Sequence, residues 1–340
     1  IIAWINERLS DRIFIGHRRN RWHLGDHALQ DTAESFEATI NSPQTCGAHS
    51  GEYCAIWLGP ELPDDQRSDD ALSVVFKSEP LNAQRDIVGA PQITLTLSSD
   101  TPQGQIAVRL LDIQPNGASA RITYGVLNLS HRISHATPSP MTPERAEEVT
   151  LDLDHIAYRL PKGHRLGIAI STAYWPLIWP SPVASTLTLT QGSLSLPLRP
   201  SDDTDEWTFE APEAATPWQV ETIRKGSNSR KTITDWTTGI VTLEIVDDFG
   251  KVKDGDHGLI NGSVAREWWS IHPDDPLSAH GRTHWTDELE REGITLRTEA
   301  TSEMTSDATH FHLKARLEAF ENDELIFEKD VQRSTLRDNL

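Results

Sequence analysis

Gln92-Ile93-Thr94-Leu95-Thr96-Leu97-Ser98-Ser99 is the stretch that decides the fold class. Ile93, Leu95 and Leu97 alternate with Gln92, Thr94 and Thr96. Successive side chains of an extended strand point to opposite sides, so this row gives a strand one apolar and one polar face. The run ends in the turn formers Ser99-Asp100-Thr101-Pro102. Working outward, the same period returns at Ile122, Tyr124 and Val126 and again at Leu166, Ile168 and Ile170, with Pro115-Asn116-Gly117 and Pro161-Lys162-Gly163 as turn signals between them. Short strands punctuated in this way predict an all-β sandwich or barrel.

A second β region follows an acidic, proline-bearing break that carries Pro200, Asp202, Asp203, Asp205, Pro212 and Pro217. Beyond it Val241, Leu243 and Ile245 alternate with Thr242 and Glu244. Phe311, Leu313, Ala315, Leu317 and Ala319 alternate with His310, His312, Lys314, Arg316 and Glu318. That second row predicts a long antiparallel strand, wet on one face, with Ile294, Leu296, Thr298 and Ala300 as its partner. The expected organisation is a linker or lead-in over 1–44, a first β domain over 45–200, a linker over 201–217 and an antiparallel β domain over 218–340.

The chain has 340 residues, enough for two cores. Its 51 acidic against 31 basic side chains leave a net charge of −20, which repels phosphate backbones and anionic lipid surfaces. Nucleic acid and membrane are therefore excluded as partners. No stretch approaches the roughly 20 apolar residues that span a bilayer. The start at Ile1, without an initiator Met or a signal peptide's apolar core, is expected to lie inside a longer chain. Two cysteines, Cys46 and Cys54, make no disulfide framework, and a cytoplasmic location is the expectation.

An ordered set of short motifs carries a family likeness. Asp65-Gln66-Arg67, Phe76-Lys77-Ser78-Glu79-Pro80-Leu81, Gly89-Ala90-Pro91, Ser98-Ser99-Asp100, Arg109-Leu110-Leu111-Asp112-Ile113 with Pro115-Asn116-Gly117, and Gly163-His164-Arg165-Leu166 with Ile170-Ser171 occur in that order. The set resembles the C-terminal region of X-Pro dipeptidyl-peptidases and cocaine esterase-like (CocE/NonD) serine hydrolases. The resemblance implies a galactose-binding-like jelly roll over about 45 to 200 and, over 213 to 335, an extension found in one branch of these hydrolases. It also implies that the Ser, Asp and His of the catalytic triad lie in an α/β-hydrolase domain outside this chain. Ile56 and Trp57, shortly before Asp65-Gln66-Arg67, would then line the rim of a substrate pocket completed by that domain, or be buried in the interface with it.

The residues themselves supply no competing chemistry. A nucleophile elbow needs G-x-S-x-G, and the nearest approach, Gly117-Ala118-Ser119-Ala120-Arg121, lacks the second glycine. His310 and His312 share a strand face and could hold a metal with His280 and His284, but Lys314 and Arg316 beside them disfavour a divalent ion. Asp254-Gly255-Asp256 lacks EF-hand spacing and reads as an acidic hairpin loop. Trp175 and Trp179 read as loop packing before they read as a sugar platform.

The sequence thus predicts no catalytic residue, no metal site and no cofactor. The function expected is that of a non-catalytic region packing on an α/β-hydrolase domain, upstream or on a separate chain, and shaping a pocket for a small peptide, ester or amide. A homo-oligomer is compatible with this reading. The alternatives are a free-standing carbohydrate-binding module and, more remotely, a metal-dependent β-barrel enzyme using His310 and His312.

Overall fold

The computed structural model describes residues 18–54, 56–57, 59–199 and 208–340. In chain order the first part contains β1 (Arg18–Leu24), β2 (Leu29–Gln30), β3 (Ala38–Ile40), a one-turn helix α1 (Arg67–Asp70), β4 (Val74–Lys77), β5 (Arg85–Gly89) and β6 (Gln92–Ser99). β7 (Gln105–Ile113), β8 (Ser119–Asn128), β9 (Glu147–Asp152), β10 (Ile156–Leu160), β11 (Arg165–Ser171) and β12 (Leu187–Arg199) complete it. The second part is an up-and-down run of longer strands: β13 (Val220–Arg224), β14 (Ser227–Thr234), β15 (Val241–Asp254), β16 (Ile260–His272), β17 (Asp275–Arg291), β18 (Ile294–Ser306), β19 (His310–Glu321) and β20 (Glu324–Leu336).

Two antiparallel sheets make up the first part. One runs β10-β5-β12-β1-β2, with β3 and β6 also on β12 and β9 on β6; the other runs β4-β11-β7-β8. Apolar residues from both meet in one core: Ile93, Leu95 and Leu97 of β6 and Leu194 and Leu196 of β12 face Val108 and Leu110 of β7 and Ile168 and Ile170 of β11. The alternation of β6 is kept in its burial, every second side chain being inward. The all-β class read from the sequence is what the chain adopts.

The stretch 18–40, read as a lead-in, differs from that expectation. β1 pairs with β12 from Arg18 opposite Leu198 to His23 opposite Ser193, and β3 pairs with β12 at Ala38 to Leu189. Periodicity does not reveal these strands because β1 carries Arg18, Arg19, Arg21 and His23 among its seven residues and β3 is only three residues long.

The third sheet follows the order β13-β15-β16-β17-β18-β19-β20, with β14 also on β15. Register places Phe311, Leu313, Ala315, Leu317 and Ala319 of β19 on one face, in line with Met304, Ser302, Ala300 and Thr298 of β18. The other face is laced with ion pairs, including His280 to Glu303, His284 to Glu299 and Arg316 to Glu318, Glu328 and Asp330. The apolar face turns toward the sandwich at one end, where Trp175, Ile271 and Ala279 form a small buried cluster with Trp179 and Trp269 against it. Gly281 lies opposite Trp269, and a Cβ there would come within 2.6 Å of the indole.

Candidate functional site

The loop between β3 and β4 carries both Ile56-Trp57 and Asp65-Gln66-Arg67, and buried carboxylates fold it. Asp69 of α1 accepts from the main-chain N–H groups of Gly47 (3.1 Å) and His49 (3.0 Å). Glu61 accepts from the N–H of Trp57 and from that of Gly59. Burial works against the Glu61 charge, but main-chain donors at Glu61, Trp57, Gly59 and Ile56 outweigh it and hold the carboxyl down to about 2. Gly51, at φ +71°, lets the chain pass close to the Glu61 carbonyl, where a Cβ would sit 2.5 Å away.

Gln66 joins this loop to the sandwich. Its amide donates to the carbonyls of His49 and Asp64, both at 2.7 Å, and its Oε1 accepts from Arg109 Nη1 at 3.1 Å. Arg109 is fully buried on β7, donates to Ser73 Oγ at 2.8 Å, and has Nη1 3.0 Å from Asp70 Oδ1. That contact is an ion pair by distance only, since Asp70 Oδ1 makes no aligned hydrogen bond. Burial raises the Asp70 carboxyl, with Arg109 opposing it. A guanidinium taken out of water must be paired in this way, so the role of the group is to fix the loop.

Asp112, on the same strand, accepts from Tyr158 OH at 2.7 Å through one oxygen and lies 2.6 Å from His164 Nδ1 through the other. Burial first, then Asp112, pushes the Tyr158 phenol upward. A carboxylate and an imidazole in this relation form two parts of a nucleophilic triad, but no hydroxyl among the described residues engages the other ring nitrogen of His164. Ser119 opens β8 opposite Ile113 and is buried. The arrangement holds β7, β10 and β11 together and supplies no attacking group.

The two candidate rim residues part company. The Trp57 indole stacks on Phe249 of β15, with ring centroids 5.6 Å apart and planes 14° apart, while Ile56 is 57 % exposed. Beside this stack Arg230 of β14 donates to Glu52 at 2.8 Å and to Asp247 Oδ2 at 2.9 Å. Burial raises the Glu52 carboxyl and Arg230 opposes it. Trp57 is thus seated between the sandwich and the third sheet. Leu58, its neighbour, lies outside the described residues.

On the other side of the same junction Trp179 Nε1 donates to Ser306 Oγ at 3.0 Å, and Arg337 donates to the carbonyl of Pro180 and lies over the Phe311 ring. A cleft of about 300 Å³ remains there, lined by Ile106, Leu127, Tyr174, Trp179, Phe311 and Arg337 among others. Trp175 and Trp179 serve this packing and are not displayed as a sugar platform. The four histidines considered as a metal set are each engaged elsewhere: His310 with Thr309, His312 with Asp307 and Ser334, His280 with Glu303, and His284 with Glu299. No group of three or more metal-type side chains converges among the described residues.

Gln66, Arg109, Asp112 and His164 stand inside the family motifs, and their spacing alone assigns them no role. Charged residues within an apolar run, as in Arg109-Leu110-Leu111-Asp112-Ile113, must find partners when the strand is buried. That was the available signal.

Among the described residues the fold is almost entirely β, with buried polar anchors and no assembled nucleophile. The chain belongs to the family of the X-Pro dipeptidyl-peptidase C-terminal non-catalytic domain, whose model matches residues 12–221. It is 30% identical over 126 residues to a protein described as a serine esterase from Mycobacterium bovis, covering 32% of this chain and 20% of that one. It is 24% identical over 182 residues to an Xaa-Pro dipeptidyl-peptidase of Lacticaseibacillus casei, covering 43% of this chain and 20% of the relative. With a cocaine esterase of a Rhodococcus species it shares 22% identity over 147 residues, covering 42% and 25% of the two chains. The match thus spans about a fifth to a quarter of these relatives' length. Among solved structures, an α-amino acid ester hydrolase aligns at 18% identity and a TM-score of 0.46, covering 53% of this chain and 36% of that one. Among the described residues no helix is long and apolar enough to cross a membrane.

Proposed function

We propose that this chain is the accessory part of a serine hydrolase acting on small peptides, esters or amides, and that it packs on an α/β-hydrolase domain whose pocket it helps to shape. The family match over residues 12–221 carries this reading. In it the chain divides into a jelly-roll domain over 45–200 and an antiparallel β domain over 218–340, joined through 201–217. Ile56 is the exposed rim residue, and Trp57 is the platform behind it. The free thiols of Cys46 and Cys54 fit a cytoplasmic setting.

The coding sequence upstream of Ile1 tests the proposal directly. An in-frame α/β-hydrolase domain with G-x-S-x-G is expected there or in a co-purifying chain, and Ile56→Asp in the whole enzyme should raise KM for acyl esters more than it lowers kcat. Absence of such a domain from both places would remove the reading.

A further inference from the structure

We propose that the free part of the apolar face of the third sheet is the docking surface for a second copy of this chain, forming a two-fold, face-to-face sheet sandwich. Trp285 and Leu289 of β17, Leu296 of β18, Leu313 and Leu317 of β19 and Phe327 of β20 lie on one face by register and are all exposed. Ala300, Ala315 and Ala319 fill the rows between them. The sandwich loops cover the other end of this face through Trp175 and Trp179, so the patch continues an interface already formed within the chain.

Four neighbouring strands over about nine residues make a surface on the order of 500 Å² in projection. Side-chain relief brings its accessible area toward the ~800 Å² per partner of a specific interface, and such a patch exceeds the scattered apolar surface of a monomer. The charges choose the occupant. On this same face Lys329 and Arg333 stand on β20, and Asp287 stands three strands away on β17. All three are exposed, and none is in an ion pair among the described residues. A two-fold axis parallel to the strands and between β18 and β19 lays β20 of one copy over β17 of the other. That brings Lys329 to Asp287 and Trp285 of the partner copy twice, with the leucines between. A patch carrying its own complement about a line is what an isologous contact requires, and sheets pack face to face in this manner.

Sedimentation of the full 340-residue chain, wild type and variants, tests this. The wild type is expected to be a dimer at micromolar concentration and Leu317→Asp a monomer with unchanged circular dichroism. Lys329→Glu and Asp287→Lys should each weaken dimerisation by about tenfold, and the double variant should recover most of it. A monomeric wild type would overturn the proposal and leave the patch to another occupant such as the hydrolase domain. So would a dimer indifferent to Leu317→Asp, or a double variant no tighter than the singles.

Discussion

The Trp57 indole lies flat on the phenyl ring of Phe249, centroids 5.6 Å apart, and so ties the loop bearing Asp65-Gln66-Arg67 to the third sheet, far along the chain. A stacked aromatic pair adds about 0.5–1.5 kcal/mol beyond the area it buries. Trp57→Ala should therefore cost about 2 kcal/mol in denaturant unfolding, and Trp57→Phe distinctly less. Among the described residues the indole N–H has no acceptor, so Phe loses area and no hydrogen bond. A double-mutant cycle with Phe249→Ala showing no coupling would contradict the contact.

Removing the Arg109 side chain leaves Asp70, Gln66 Oε1 and Ser73 Oγ without their cation. Breaking a buried pair from one side costs about 3–5 kcal/mol. Arg109→Ala should lose stability on that scale. Arg109→Met combined with Asp70→Leu should lose far less, because no charge is then stranded. Equal losses in the two variants, measured by urea unfolding, would show that the pair is not what fixes the loop.

Acid should loosen the Glu61 loop. Its carboxyl ionises at about 2 in the folded chain, below its ordinary value of 4.5, so the folded state favours the charged form. The stability it contributes is complete above about pH 5 and is lost as pH falls toward 2. The melting-temperature gap between wild type and Glu61→Gln should accordingly be widest near neutrality and close on acidification. A gap independent of pH over this range would refute the hydrogen-bonded carboxylate.

Tyr158→Phe takes one donor from buried Asp112 and should cost about 1–2 kcal/mol. His164→Asn should likewise be felt in thermal unfolding and in no hydrolytic assay. A change in turnover of the isolated chain with His164→Asn would assign the pair a chemical role.

Local alternation made much of this fold legible. Ile93, Leu95 and Leu97 are inward as their spacing demands, and the β19 row has its alanines and leucines on one face and His312, Lys314 and Arg316 on the other. β7 defeated the same logic. It is buried on both sides, by the sandwich core on one and by the 41–73 loop on the other, so the polarity of Arg109 and Asp112 carried no facial signal. The seat of Trp57 against Phe249 was illegible for a different reason. It depends on two modules meeting, and no periodicity within either one encodes that contact.

In the function proposed above, these residues complete a hydrolase without performing its chemistry. Turnover of chromogenic acyl esters and X-Pro-arylamides by the purified chain, with and without the α/β-hydrolase domain, measures it most directly. The account predicts background rates for the chain alone and turnover only when the domain is present. Hydrolysis by the chain alone that survives purification and is abolished by a single Ser→Ala change within residues 1–340 would contradict it.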